Sequence, residues 1–254
     1  MIKNIDHNME NVKALFPDQK YKNGRYPYFF ENHEEYLVED PFTKKYGTGI
    51  ENIKVINNFF SKDECEEAIS FSNNFEIKSE RDHCYPLHMA DNFNMSSDFG
   101  QKYNSYTELI GDKMIAAAEK EWETSLTKHN SCMLMIHPLG SYLDPHTDIL
   151  DIHYKNNDPA RDDGMSYEDQ LKTFPNLWSG HLSILVYLND DYQRGELYFP
   201  RLNYWIKPKQ GDIVTFPGSL YYAHGVTAIE SKPRYTLSQW ATFDFLKNKE
   251  NEVK

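Results

Sequence analysis

Between residues 131 and 243 the chain breaks into short β-prone runs separated by turn signals, and this pattern limits the possible folds more than any other feature. The runs are CMLMIH (132–137), HLSILVYL (181–188), GELYFP (195–200), NYWIKP (203–208), DIVTFP (212–217) and RYTLSQWATF (234–243). Segments of this length, rich in β-branched and aromatic residues, read as strands. The Asn189-Asp190-Asp191 and Lys209-Gln210-Gly211-Asp212 segments supply turn chemistry between them. Several short strands after a helical segment predict a mainly β (α+β) domain, an antiparallel sandwich or jelly roll with helices on one side.

The helical segment lies upstream. IKVINNFF (53–60) reads as a strand, and Ser61-Lys-Asp-Glu64 is a capping box that opens a helix with Cys65, Ala68 and Ile69 on one face. Residues 75–100 are loop-like. Tyr106, Leu109, Ile110, Met114, Ala117 and Ala118 then mark an amphipathic helix running to about Trp122. Residues 1–50 show little periodicity and many Asn, Lys, Glu and aromatic residues, which predicts an irregular arm packed on the domain by its aromatics. The domain itself is expected over 51–246, and KNKENEVK at the end reads as a solvated tail over 247–254. Residues 149–180, beginning DIHYKNNDPARDDGMSYEDQ, form a polar connection between the first two of those strands. A connection this long inside a compact domain is either a functional loop or a decorative surface insertion, and the residues alone leave both readings open.

Composition narrows the function classes. Mean hydropathy is low at −0.74, but aromatic residues make up 15% of the chain, more than a disordered segment carries. The formal charge of −12 disfavours a nucleic-acid partner, which would require a basic patch working against the net field. No run approaches the roughly 18–20 apolar residues of a membrane span, and the N-terminal MIKNIDHNMENVK lacks an apolar signal core, so no membrane association and a cytoplasmic location are expected. Cys65, Cys84 and Cys132 are odd in number, widely spaced and without a CxxC pair, which argues against a disulfide framework or a thiolate metal site and fits a reducing compartment.

The residues that carry chemistry begin with His146-Thr147-Asp148. In an extended segment residues i and i+2 share a face, so the imidazole and the carboxylate can converge on one point. A second histidine, His224, follows 78 positions later in YYAHGV, after another predicted strand. Two imidazoles and one carboxylate are the ligand set of non-haem Fe(II) oxygenases, although an isolated HxD arises often by chance. Ten residues after His224 stands Arg234, one of six arginines in the chain and the first residue of the strand RYTLSQWATF. A guanidinium at the start of an apolar, hydroxyl-bearing strand requires an anionic partner. A dicarboxylate co-substrate would be such a partner, and so would one of the 39 acidic side chains.

Six segments in order resemble the 2-oxoglutarate/Fe(II)-dependent dioxygenases of the prolyl 4-hydroxylase type, over roughly residues 53–243. They are IKVINNFFSKDECEEAI, HPLGSYLDPHTD, SILVYLNDDYQRGELYFP, IKPKQGDIVTFPG, HGVTAI and KPRYTLSQW. The resemblance implies a double-stranded β-helix (jelly roll) with supporting N-terminal helices. It implies Fe(II) held by His146, Asp148 and His224, and 2-oxoglutarate whose distal carboxylate meets Arg234 and the Tyr187 hydroxyl, with Ser238 facing the co-substrate. Trp240 aligns with a tryptophan near the substrate mouth, where core packing is the competing role. The chain departs from the pattern in carrying His137 where many relatives have tyrosine, and arginine rather than lysine at 234.

The implied activity is O₂-dependent hydroxylation of an aliphatic C–H, of a prolyl residue in a peptide or protein, with ascorbate in support. Asp148 fills the position a halogenase would leave for chloride. Hydroxylation of a free amino acid or other small molecule is the enzymatic rival. A non-catalytic jelly-roll binding module, or a cupin-like protein holding another divalent metal, is the rival of a different class. The sequence carries no reading of the oligomeric state.

Overall fold

The computed structural model describes residues 41–73, 87–88, 97–129, 132–146, 148, 181–218, 222 and 224–244. The expectations for residues 1–40, the 149–180 insertion and the 247–254 tail lie outside the described residues. In chain order the elements are α1 (Pro41–Tyr46), β1 (Lys54–Ile56), α2 (Lys62–Asn73), β2 (Leu87–His88), α3 (Asp98–Trp122), β3 (Leu126–Lys128), β4 (Met133–His137), β5 (Leu143–His146), β6 (His181–Tyr187), β7 (Gln193–Arg194), β8 (Leu197–Phe199), β9 (Tyr204–Ile206), β10 (Ile213–Pro217), β11 (His224–Val226), β12 (Ile229–Glu230) and β13 (Arg234–Phe243).

Two antiparallel sheets carry the architecture. The larger runs β1-β10-β6-β13-β4-β2, with β3 paired to the far end of β13, and the smaller runs β5-β11-β8-β9. They face each other: Phe216 of β10 meets His224 of β11 at 4.4 Å between ring centroids and Phe199 of β8 at 5.0 Å. Strand β13 is the spine, because its first half pairs with β4, its last residues with β3, and most of its length with β6. It is largely buried along its length, as a central strand covered on both faces must be.

Alternation along these strands sorts their side chains into two sets. One set packs on the helices: the Trp122 indole donates to Thr215 Oγ1 (2.9 Å), the Leu134 amide donates to the Tyr103 hydroxyl (3.0 Å), and Cys132 Sγ lies 3.6 Å from Met114 Sδ. The other set, which includes His137, Arg234, Thr236, Ser238, Ser183 and Tyr187, faces the smaller sheet. Their polarity in an otherwise apolar core is the structural mark of a site.

The helices follow from local chemistry. The Ser61 amide donates to Glu64 Oε2 (2.8 Å) and the Glu64 amide to Ser61 Oγ (3.2 Å), the reciprocal bonds of the predicted capping box. Helix α3 begins at Asp98, inside the end of the 75–100 stretch expected to be loop, because the Ser97 hydroxyl caps it by accepting from the Gly100 amide (3.0 Å). Its buried stripe is Tyr103, Thr107, Ile110, Met114, Ala118 and Trp122. Leu109, expected with that stripe, is instead 58% exposed, since it lies one residue and about 100° around the helix from Ile110. Among the described residues no helix is long and apolar enough to cross a membrane.

Strand β1 is shorter than the predicted 53–60 run because Asn58 takes a left-handed φ of 54° and turns the chain. The turn at 209–212 closes by an Asp212 amide to Lys209 carbonyl bond (3.1 Å) with Gly211 at φ 88°. Glycine is required there twice over, since a Cβ would also stand 2.2 Å from the Phe60 carbonyl oxygen. Helix α1 docks through Phe42, which is buried against Trp122, Tyr222 and Phe243 with ring centroids 5.3–6.3 Å apart.

Candidate active site

Two polar clusters line the inner face, one around Asp148 and one around Arg234. In the first, β11 and β5 pair antiparallel with His224 directly opposite His146. His224 is buried, and its Nε2 lies 3.5 Å from Asp148 Oδ2. The other ring nitrogen, Nδ1, is 3.2 Å from the Tyr222 carbonyl. A carbonyl only accepts, so Nδ1 carries the proton and Nε2 presents a lone pair on the Asp148 side. Ser183 of β6 donates its hydroxyl to Asp148 Oδ2 at 2.5 Å and so aims the carboxylate from across the sandwich. Tyr222 is itself anchored: its hydroxyl accepts from Asn52 Nδ2 (2.8 Å) and donates to the Gly49 carbonyl (3.1 Å). The segment leading into β1 thereby holds the backbone that orients His224.

Among the described side chains no third His, Cys, Asp or Glu joins this pair. His146 is placed by its backbone on the ladder, and its side chain, like residue Thr147, is outside the described set. The donor types present, an imidazole whose Nε2 faces the Asp148 carboxylate, opposite a second histidine position, fit a divalent iron that prefers nitrogen and oxygen ligands.

The second cluster surrounds Arg234, which is 2% exposed. Its Nη1 donates to the Gly195 carbonyl (3.1 Å), and its Nη2 lies 3.1–3.2 Å from both ring nitrogens of His137, its ladder partner on β4. Guanidinium donates only, so His137 accepts here and is held neutral. No carboxylate of the described residues pairs with Arg234, and its Nε has no partner. The Tyr187 ring lies 5.5 Å from the guanidinium carbon, and the buried Tyr187 hydroxyl likewise has no partner. Burial pushes the Tyr187 phenol up, with the nearby positive charge of Arg234 acting against it. Ser238 sits four residues beyond Arg234 on the same face, buried, its hydroxyl 3.0 Å from Met135 Sδ. Trp240 is half-buried opposite Ser183, and its indole N–H has no partner.

The arrangement therefore offers an N/O donor pair at one end and, at the other, a buried guanidinium with no carboxylate partner among the described residues. The sequence motifs pointed to Asp148, His224, Arg234 and Tyr187, and the structure gathers them on the inner face of one sandwich. They did not point to Ser183, Tyr222, Gly195 or Thr236, whose Oγ1 lies 3.4 Å from His137 Nε2. The available signal was the period-two polar set Arg234, Thr236 and Ser238 within an apolar strand.

Residues 132–242 match the model of the 2OG-Fe(II) oxygenase superfamily. The match spans 111 of the chain's 254 residues. A putative prolyl 4-hydroxylase of Acanthamoeba polyphaga mimivirus is 23% identical over 191 residues, covering 70% of this chain and 62% of the viral protein. Human prolyl 3-hydroxylase 3 is 36% identical over 64 residues, which cover 23% of this chain and 9% of the human protein. The chain thus spans less than two thirds of the length of either relative. Among solved structures, a Trichoplax adhaerens prolyl hydroxylase in complex with a hypoxia inducible factor peptide fragment is similar with a TM-score of 0.49 and 13% identity, covering 78% of this chain and 86% of that one.

Proposed function

We propose that the protein is an Fe(II)- and 2-oxoglutarate-dependent dioxygenase that hydroxylates an aliphatic C–H, that of a prolyl residue in a peptide or protein. The observation that carries the reading is Arg234: a buried guanidinium with no carboxylate partner among the described residues, beside a buried hydroxyl with none. A folded protein keeps an uncompensated buried charge where a ligand completes it. In this reading His146, Asp148 and His224 hold the iron, Arg234 and Tyr187 receive the distal carboxylate of 2-oxoglutarate, and Ser238 lines the wall between them.

When bound, Fe(II), 2-oxoglutarate and O₂ supply the oxidising power, 2-oxoglutarate leaving as succinate and CO₂ while one oxygen atom enters the substrate. The chain contributes position. The Tyr222 carbonyl sets the His224 tautomer, the Ser183 hydroxyl aims Asp148, and Arg234 supplies a fixed charge that costs no reorganisation when the anion arrives. Burial keeps the Tyr187 hydroxyl protonated as a donor at neutral pH. Half-buried Leu185 and Trp240 leave this face partly open as the side where a substrate approaches. The prolyl assignment follows the relatives named above and a net charge of −12, which suits a neutral or basic peptide. Buried Cys65 and Cys132 thiols are in keeping with a cytoplasmic site of action.

Succinate release from 2-oxoglutarate by the Fe(II)-loaded protein, with ascorbate under air, tests the reaction. Mass spectrometry of a proline-rich peptide library should then show products heavier by one oxygen atom. No turnover together with no 2-oxoglutarate-dependent change in the Fe(II) spectrum refutes the oxygenase reading; oxidation of free amino acids but of no peptide refutes the prolyl one. Asp148→Ala should lose bound iron, and retention of stoichiometric Fe(II) would remove Asp148 from the ligand set.

A further inference from the structure

Tyr192 belongs to no part of the site described so far, yet it borders the Arg234 cluster. Its side chain is 2% exposed and its hydroxyl has no partner. A buried phenol without a hydrogen bond is costly and rare, and it calls for a missing acceptor as the unpartnered Tyr187 hydroxyl does. The surrounding backbone explains its position. Arg194 and Gly195 both adopt left-handed φ, 56° and 68°, and this tight reversal sends the Gly195 carbonyl to Arg234 Nη1. It also presses the Tyr192 ring against Gly195 so closely that a Cβ there would stand 2.9 Å from Tyr192 Cε2. The outer side of the residue is clamped by Lys207, whose ammonium donates to the Tyr192 carbonyl and lies 4.4 Å from its ring centroid. The Gly195 peptide is thus shared: its carbonyl fixes the guanidinium, and its Cα seats the ring edge next to the hydroxyl.

Burial pushes the Tyr192 phenol up, with the charge of Arg234 acting against that rise. The contact with Gly195, whose carbonyl accepts from Arg234 Nη1, sets the Tyr192 ring edge beside the Arg234 cluster. Of the Arg234 nitrogens, Nη1 donates to Gly195 and Nη2 to His137, while Nε has no partner. A carboxylate has about four lone-pair sites, more than one guanidinium edge fills.

Resting on the 2-oxoglutarate reading above, we propose that Tyr192 is a further binding residue for the co-substrate: its hydroxyl, with Arg234 and Tyr187, donates to the distal carboxylate of a 2-oxo-diacid. Tyr192 in this role sharpens selection for a diacid over a 2-oxo-monoacid. A site built with buried donors strongly rejects a ligand that leaves them unpaired.

The test is calorimetric titration of the protein loaded with redox-inert Ni(II), using 2-oxoglutarate and 2-oxobutyrate, on wild type, Tyr192→Phe and Arg234→Met. Tyr192→Phe should weaken 2-oxoglutarate about tenfold while leaving 2-oxobutyrate unchanged, so the diacid preference falls by the same factor. Because the hydroxyl has no protein partner, the ligand-free Tyr192→Phe protein should melt at or above the wild-type temperature. Equal loss for both ligands, or a lower melting temperature without ligand, identifies a structural role and overturns the proposal. Wild-type affinity in Tyr192→Phe alongside lost affinity in Arg234→Met overturns the Tyr192 assignment alone. Absence of 2-oxoglutarate binding by wild type overturns the co-substrate reading together with it.

Discussion

Replacing Arg234 with methionine removes the charge while keeping most of the side-chain volume, and the structure allows its cost to be worked out. Two hydrogen bonds disappear, to the Gly195 carbonyl and to the His137 ring. With a charged donor each contributes about 1.5–3 kcal/mol, so roughly 3–6 kcal/mol is lost. Against this, the ligand-free protein no longer holds an unpaired guanidinium at 2% exposure, a desolvation cost of several kcal/mol. The two effects are of similar size and opposite sign, so ligand-free Arg234→Met should lie within about 2 kcal/mol of wild type. The difference between the proteins should appear when 2-oxoglutarate is added. At a hundred times its dissociation constant a ligand stabilises by about 2.7 kcal/mol. With each kcal/mol shifting the midpoint by about 2–4 °C, the wild-type melting temperature should rise by about 5–11 °C. Arg234→Met should show no rise at the same concentration. Thermal denaturation of the Ni(II)-loaded proteins with and without 2-oxoglutarate measures both numbers. A loss above about 4 kcal/mol in the ligand-free variant would show the guanidinium to be a structural element already compensated within the fold. An undiminished response to 2-oxoglutarate would remove it from the site.

Other consequences are separable from that one. Gly211→Ala should destabilise by more than the about 1–2 kcal/mol of a left-handed alanine, because its Cβ also meets the Phe60 carbonyl; urea unfolding with an unchanged midpoint contradicts this. Tyr222→Phe removes the bonds to Asn52 and Gly49 but leaves the carbonyl that orients His224, so it should cost about 1–3 kcal/mol of stability with iron affinity nearly unchanged. A large drop in iron affinity would show that the hydroxyl, and not the backbone, sets the imidazole. Burial pushes the Cys65 thiol and the Tyr198 phenol up to about 12 and raises Tyr187 and Tyr192 as well. The native state therefore keeps these protons after the unfolded chain has released them, and stability should fall as pH rises from about 9 toward 12. The slope is up to about 1.4 kcal/mol per pH unit for each group. Stability that stays flat from pH 8 to 11 is inconsistent with these buried phenols and thiols.

Much of the fold was legible because its signals are local. The six β-prone runs all contain a strand, and RYTLSQWATF coincides with β13 end to end, because β-branched and aromatic enrichment and turn residues act over a few positions. The short strands β2, β3, β5, β7, β11 and β12 were not read. They are two to four residues long, and only pairing with a distant partner makes them strands. The first turn of α3, 98–100, falls within the expected loop for a related reason: the Ser97 cap that sets it lies before the apolar stripe, which begins at Tyr103.

The same division runs through the site. The residue types alone determined that the chain could supply a carboxylate and imidazoles at HxD and His224, and that an arginine opening an apolar strand would require an anion. Tertiary structure decided which of these meet. It brought His224 opposite His146 on a ladder, set Ser183 against Asp148 from 35 residues away, and turned Arg234 toward Gly195 and His137 rather than toward any described carboxylate. Chemistry belongs to individual side chains and is visible in the sequence. Convergence and the absence of a partner depend on how distant strands pack, and only the folded chain shows them.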